Sequence, residues 1–234
     1  MGILRIKAAV FDFDGTLVPF KMDYIALRQE IIQRIAEMGI KNQSFNVSDP
    51  IRNTLKKARE LLNDKDMETL EREAEEIINF YELEGAKNNA VITGVSEVLK
   101  TLKEMNLKLG IFTLNQRKVV EILLNKATLF ESKATLFEIF DAIVTRNSVR
   151  DFYQNSIKLK YLRTCLRKLG VDGKETIVIG DHPIDIEAGK LINAITVGVH
   201  TSRNWKELRK DEKYDFLIDS IAEIPELIQK VVEL

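Results

Sequence analysis

The chain has 234 residues, with 35 lysines and arginines against 36 aspartates and glutamates and a formal net charge of −1. That balance, without a long block of one sign, excludes an electrostatic footprint for nucleic acid or an anionic membrane, and no apolar window is long enough to span a bilayer. A single cysteine, Cys165, excludes an intramolecular disulfide, and the first apolar run carries Arg5 and Lys7 in place of a secretory layout, so a soluble cytoplasmic protein is expected.

The first element lies in Lys7-Ala8-Ala9-Val10-Phe11-Asp12-Phe13-Asp14-Gly15-Thr16. Ala8 to Phe11 shows no polar alternation, which predicts a strand buried on both faces, and Gly15 permits a sharp turn after it. Asp12 and Asp14 are two apart on extended chain and so share one side at the strand's carboxyl end, the edge where open α/β sheets bind ligands. A plain Asp-Gly turn is the other reading of these residues. An EF-hand loop is excluded, because Thr16 and Asp23 stand where its fifth and twelfth ligands belong.

Helical periodicity then runs to about Glu84. Met22 to Met38 carries Ile25, Leu27, Ile31, Ile32 and Ile35 at three- and four-residue steps and stops at Gly39. Asp49-Pro50 predicts a cap followed by proline at the first helical position, leading through Ile51, Leu55 and Ala58. Asp66 is expected to open a third helix with the stripe Met67, Leu70, Ala74, Ile77, Ile78 and Tyr81, its glutamates forming a solvated face. Together these make an all-helical insert after the first strand.

From Val91 onward strands and helices alternate. Strands are predicted at Leu107–Leu114, Ala142–Thr145, Thr176–Gly180 and Ile195–Val199, with a short one at Phe216–Ile218. Helices are predicted at Gly94–Leu102, Arg117–Leu124, Ile157–Leu169, Asp185–Ile192 and from Ser220 to the end, and Cys165 falls on one of them as a packing residue. This rhythm predicts an α/β fold with a doubly wound parallel sheet. Lys126-Ala127-Thr128-Leu129-Phe130-Glu131 recurs letter for letter as Lys133-Ala134-Thr135-Leu136-Phe137-Glu138, a single tandem pair that reads as a local duplication.

A second acidic strand end lies in Ile177-Val178-Ile179-Gly180-Asp181-His182-Pro183-Ile184-Asp185. Taken with Asp12 and Asp14 it predicts an all-oxygen anionic pocket suited to a hard cation such as Mg²⁺. At a third strand end, Thr113-Leu114-Asn115-Gln116 offers a hydroxyl and exposed amides ahead of a helix, a setting for phosphate. His182 is read as a loop residue and not a ligand.

Asp12-Phe13-Asp14-Gly15-Thr16 resembles motif I of the haloacid dehalogenase superfamily, Thr113 resembles motif II, and Gly180-Asp181 with Asp185 resembles the acidic motif IV. The insert resembles the helical cap of the phosphoglycolate phosphatase-like branch. The resemblance implies a Rossmann-like α/β core over residues 1–18 and 89–234 and a smaller helical cap domain over 19–88. It implies a Mg²⁺-dependent phosphatase acting on a small phosphorylated metabolite through an aspartyl phosphate, as a monomer or homodimer without nucleic-acid or membrane partners. Asp12 would be the nucleophile and Asp14 the acid and base; Thr113, Leu114 and Asn115 would face the phosphoryl group. Asp12, the backbone carbonyl of Asp14, and Asp181 would hold the metal, supported by Asp185. The superfamily also places a lysine, usually as Lys-Pro, beside the nucleophile. That pair is missing here; Lys158 is the expected substitute and Lys160 a solvated neighbour, with Arg146 or Arg150 as the alternative cation. A phosphomutase, or a weakly active binding or regulatory protein, are the neighbouring outcomes.

Overall fold

The structure, a computed structural model, describes residues 6–19, 21–41, 45–127, 134–154, 156–200 and 214–233. The chain divides into two compact units, one of residues 1–20, 89–145 and 158–234, the other of residues 21–88 and 146–157.

The first unit is built on six strands, β1 (Ala8–Phe11), β2 (Lys108–Gln116), β3 (Ala142–Arg146), β4 (Thr176–Gly180), β5 (Ile195–Val199) and β6 (Phe216–Ile218). They lie in the order β3-β2-β1-β4-β5-β6, with β1 parallel to both β2 and β4, and β4, β5 and β6 parallel in turn. Ala8, Ala9, Val10 and Phe11 are all fully buried, as an unalternating apolar run requires. Phe11 is level with Ile111 on one side and Ile179 on the other. The residues that follow these three therefore emerge together at one edge, where the strand order reverses about β1.

Helices α4 (Val95–Glu104), α5 (Arg117–Asn125), α6 (Ile157–Leu169), α7 (Pro183–Lys190) and α8 (Ile224–Glu233) complete the alternation. Cys165 on α6 is buried against the sheet, and a Cβ at Gly110 would sit only 2.5 Å from its sulfur. Burial pushes this thiol up to about 12, which leaves it a packing group at neutral pH. In the duplicated stretch, residues 128–133 lie outside the described residues; in the second copy Leu136 is buried, its N–H donating to Ala127 O at 3.0 Å.

The second unit contains α1 (Tyr24–Glu37), α2 (Ile51–Leu61) and α3 (Asp64–Lys87). Asp23 caps α1 by accepting from Ala26 N at 2.9 Å. The two later starts differ from the sequence reading. Pro50 is itself the cap residue of α2, with no side-chain cap bond from Asp49. For α3 the cap is Asn63, whose Oδ1 accepts from Asp66 N at 2.9 Å, so the helix begins earlier and Asp66 lies in its first turn. Leu27, Ile31, Ile35, Leu55, Leu70 and Ile78 form the core of this unit together with Val149 from the 3₁₀ turn Val149–Tyr153.

Residues 146–157, which the sequence groups with the α/β part, thus pack among these helices. The reason is partly apolar, through Val149, and partly ionic. The Arg146 guanidinium, 1% exposed, donates to Glu75 at 2.6 Å, Asn79 at 3.0 Å and Glu82 at 3.1 Å, all on α3. It also lies 5.1 Å from the centre of the Phe152 ring. Glu71 on the same helix is bound by Arg150 at 2.6 Å, by Arg59 at 3.3 Å and by the Tyr153 hydroxyl. Glu71 and Glu82 are buried, which corrects the expectation of a uniformly solvated glutamate face. Arg146 comes to Glu82 from 64 residues away and Arg150 to Glu71 from 79, and helical periodicity says nothing about such partners. Removing one member strands a buried charge, so Arg146→Ala is expected to destabilise the protein by about 3–5 kcal/mol in urea unfolding, against under about 1 kcal/mol for the half-exposed Arg34→Ala.

Candidate active site

Asp12 directly follows β1, and its N–H donates to Ile179 O at 2.8 Å, which locks it into the sheet ladder. Asp14 lies two residues on, half-buried, ahead of Gly15, whose φ of +82° turns the chain. Asp181 follows β4 and Asp185 lies in the first turn of α7. A ligand oxygen from each of Asp12, Asp181 and Asp185 lies within 4.8 Å of the others, and all three residues are buried. Two glycines make this approach possible. A Cβ at Gly15 would overlap the Asp181 carboxylate, and one at Gly180 would stand 2.6 Å from Asp185 Cβ.

Lys158, the second residue of α6, brings the cation. Its ammonium bonds Asp12 Oδ1, lies 2.9 Å from Asp185 Oδ1 and 3.5 Å from Phe112 O, and sits 4.8 Å from the centre of the Phe112 ring. Lys160 is exposed. Arg146 and Arg150, the alternative cations, are committed to the α3 acids of the second unit. Among the three clustered carboxylates Lys158 offsets one charge and leaves two. Hard oxygen donors, close spacing, burial and that residual charge fit a divalent cation.

Thr113 and Asn115 lie near the end of β2 and point the same way. Both are buried, at 1% and 6% exposed, which corrects the expectation of an exposed amide for Asn115, while Leu114 and Gln116 are half-buried. Asn115 N donates to Thr113 Oγ1 at 3.1 Å, and its side-chain Nδ2 donates to Asp14 Oδ2 at 2.7 Å. The latter contact joins residues 101 apart and has no local sequence signal. His182 is the cap of α7: its Nδ1 accepts from Ile184 N at 3.2 Å, and Asp185 Oδ2 accepts from His182 N at 3.3 Å. Pro183 at the first helical position with an acid two residues later was the legible sign of that cap, and α7 accordingly begins before Asp185.

Burial first, then repulsion from Asp185, raise Asp12 from 3.8 to about 6 against the opposing pull of Lys158. Burial alone would lower the Lys158 ammonium; Asp12 and Asp185 outweigh it and hold the group above its ordinary 10.5. In the metal-free fold Asp12 binds its proton more tightly than in the unfolded chain, so stability falls as pH rises from about 4 through about 6. In EDTA, Asp12→Asn is therefore expected to raise Tm by at least about 3 °C near pH 7.5, with the gain shrinking towards zero near pH 4. Equal Tm values for the two proteins at the higher pH would contradict the assignment.

The sequence profile of the haloacid dehalogenase-like hydrolases matches residues 9–199, spanning both acidic strand ends and the residues between. The chain is 24% identical over 230 residues to the pyrophosphatase PpaX of Halalkalibacterium halodurans, covering 96% of this chain and 98% of that one. It is 23% identical over 230 residues to the phosphoglycolate phosphatase of Vibrio vulnificus, covering 96% of each. The crystal structure of CbbY from Rhodobacter sphaeroides in complex with phosphate superposes with a TM-score of 0.63 at 21% identity, over 94% of this chain and 96% of that one, a likeness of fold. With its doubly wound parallel sheet and its acidic residues at the carboxyl ends of β1 and β4, the chain belongs to the haloacid dehalogenase-like hydrolases.

Proposed function

We propose that the protein is a Mg²⁺-dependent phosphatase that hydrolyses a small phosphorylated metabolite through a phosphoryl group carried on Asp12. The observation that carries this reading is the pair at the end of β1. One carboxylate, Asp12, is buried against an ammonium and two further acids, and a second, Asp14, is held two residues away by an amide. The relatives named phosphoglycolate phosphatase and pyrophosphatase support a phosphate-releasing reaction.

In this reading an Asp12 oxygen attacks phosphorus. The bond from phosphorus to the leaving oxygen breaks, and that oxygen takes its proton from Asp14. Water then attacks the phosphorus, Asp14 accepts the water proton, and the bond to Asp12 breaks to release phosphate. Lys158 and the Thr113 hydroxyl hold the phosphoryl oxygens during both transfers. Asp12, the Asp14 carbonyl and Asp181, with Asp185 in support, would hold Mg²⁺, which when bound polarises the phosphoryl group and cancels its repulsion from the carboxylates. The helical residues 19–88, inserted in sequence between Asp14 and Thr113, are proposed as the cap that restricts substrates to small molecules.

Hydrolysis of p-nitrophenyl phosphate is expected to need added Mg²⁺ and to be lost in Asp12→Asn, since an amide can neither attack phosphorus nor supply the metal with charge. Lys158→Ala is expected to lower kcat/KM by at least about 100-fold, roughly 2.7 kcal/mol, and Lys160→Ala by less than about 3-fold. Comparable small effects in both lysine variants would remove Lys158 from the mechanism. Turnover retained by Asp12→Asn would remove the covalent route.

A further inference from the structure

The family resemblance places Asn115 on the substrate, yet the structure gives its side chain another partner. Asn115 Nδ2 donates to Asp14 Oδ2 at 2.7 Å, whereas it stands 3.5 Å from Thr113 Oγ1. The backbone N–H of the same residue donates to Thr113 Oγ1 at 3.1 Å. One buried residue thus touches both groups that would flank the reacting phosphorus, through two chemically separate donors.

Resting on the phosphatase reading above, we propose that Asn115 is the positioning residue of Asp14, holding the carboxylate in the orientation from which it serves the leaving oxygen. Asp14 is placed where such a contact selects its orientation. It is half-buried on a turn with a positive-φ glycine behind it, and a short carboxylate there has more than one staggered rotamer available. A neutral amide fixes one rotamer without adding a charge beside three acids, where a lysine or arginine would form an ion pair. Asparagine also suits the place by length: from β2 its amide spans to Asp14 while its backbone remains in the strand. The Thr113 hydroxyl accepts from the Asn115 backbone N–H, which leaves its own hydrogen to donate to a phosphoryl oxygen. Replacing the side chain therefore disturbs Asp14 and leaves the Thr113 contact in place.

That separation gives a readout that general structural damage does not move. A proton donor matters most when the leaving oxygen is strongly basic, as in an alkyl phosphate, and least for p-nitrophenolate. In Mg²⁺, kcat/KM reports the first phosphoryl transfer for each ester. Asn115→Ala and Asn115→Ser, each checked for an unchanged circular dichroism spectrum, are expected to lose about 30-fold or more on a small alkyl phosphate and under about 5-fold on p-nitrophenyl phosphate. Asp14→Asn is expected to show the same skew, and Asn115→Ala in the Asp14→Asn background to add less than about 2-fold. Equal losses on both esters, or none, would overturn the proposal while leaving the phosphatase reading intact. Failure of both Asn115 variants to fold would overturn it as well, by making the side chain a fold element. A wild-type protein inactive on every ester would instead strike the phosphatase reading itself.

Discussion

Repulsion among buried carboxylates is the constraint to which the rest of the site answers. Asp12, Asp181 and Asp185, all buried, bring oxygens within 4.8 Å of one another, and like charges so placed repel and destabilise the fold. Lys158 relieves part of this by bonding Asp12 and standing beside Asp185. Burial first, and the unrelieved repulsion from Asp185 second, hold the Asp12 carboxyl above its ordinary range. A pocket left with excess negative charge is pre-arranged for a small hard cation, and any anion that enters must share that cation and the ammonium with the carboxylates. Local instability and ligand affinity are here the same electrostatic fact seen from two sides.

The scaffold imposes this crowding through backbone, and flexible side chains have little part in it. Parallel pairing levels Phe11 with Ile111 and Ile179, so acids on adjacent strands have no register in which to move apart. The absence of a side chain at Gly15 and Gly180 removes the remaining steric barrier. Lys158 is held in the first turn of α6 with its ammonium over the Phe112 ring and near the Phe112 carbonyl, which limits the entropy lost when it pairs.

Most of the α/β fold was legible because its strands are short, apolar and ended by acids or glycines, a pattern that one element shows by itself. The placing of Asp12, Asp14 and Asp181 at strand ends was legible for the same reason, and Asp185 follows in the helix directly after one of them. What escaped the sequence are pairings between distant residues. Nothing near Asn115 points to Asp14, and nothing in the periodicity of α3 tells Glu71 and Glu82 apart from the solvated glutamates around them. The caps of α2 and α3 escaped for a smaller reason, since Asp49, Asn63 and Asp66 are all good capping residues and only backbone conformation selects among them. For His182 the loop reading missed only its capping role, to which the proline after it was the guide.

The helical unit is assembled from two separate passages of chain, and Arg146 and Val149 from the later one supply its buried cation and part of its apolar core. During synthesis α1, α2 and α3 leave the ribosome well before that later stretch, so for an interval Glu75 and Glu82 have no Arg146 to pair with. The unit can be completed only after β2 and β3 have been made, which couples its maturation to that of the sheet by order of emergence. The same arrangement sets a rule for recombination. A foreign helical insert grafted here as one contiguous block would meet Arg146 and Val149 in place of the packing it came with, so an exchange that preserves stability has to carry both passages together.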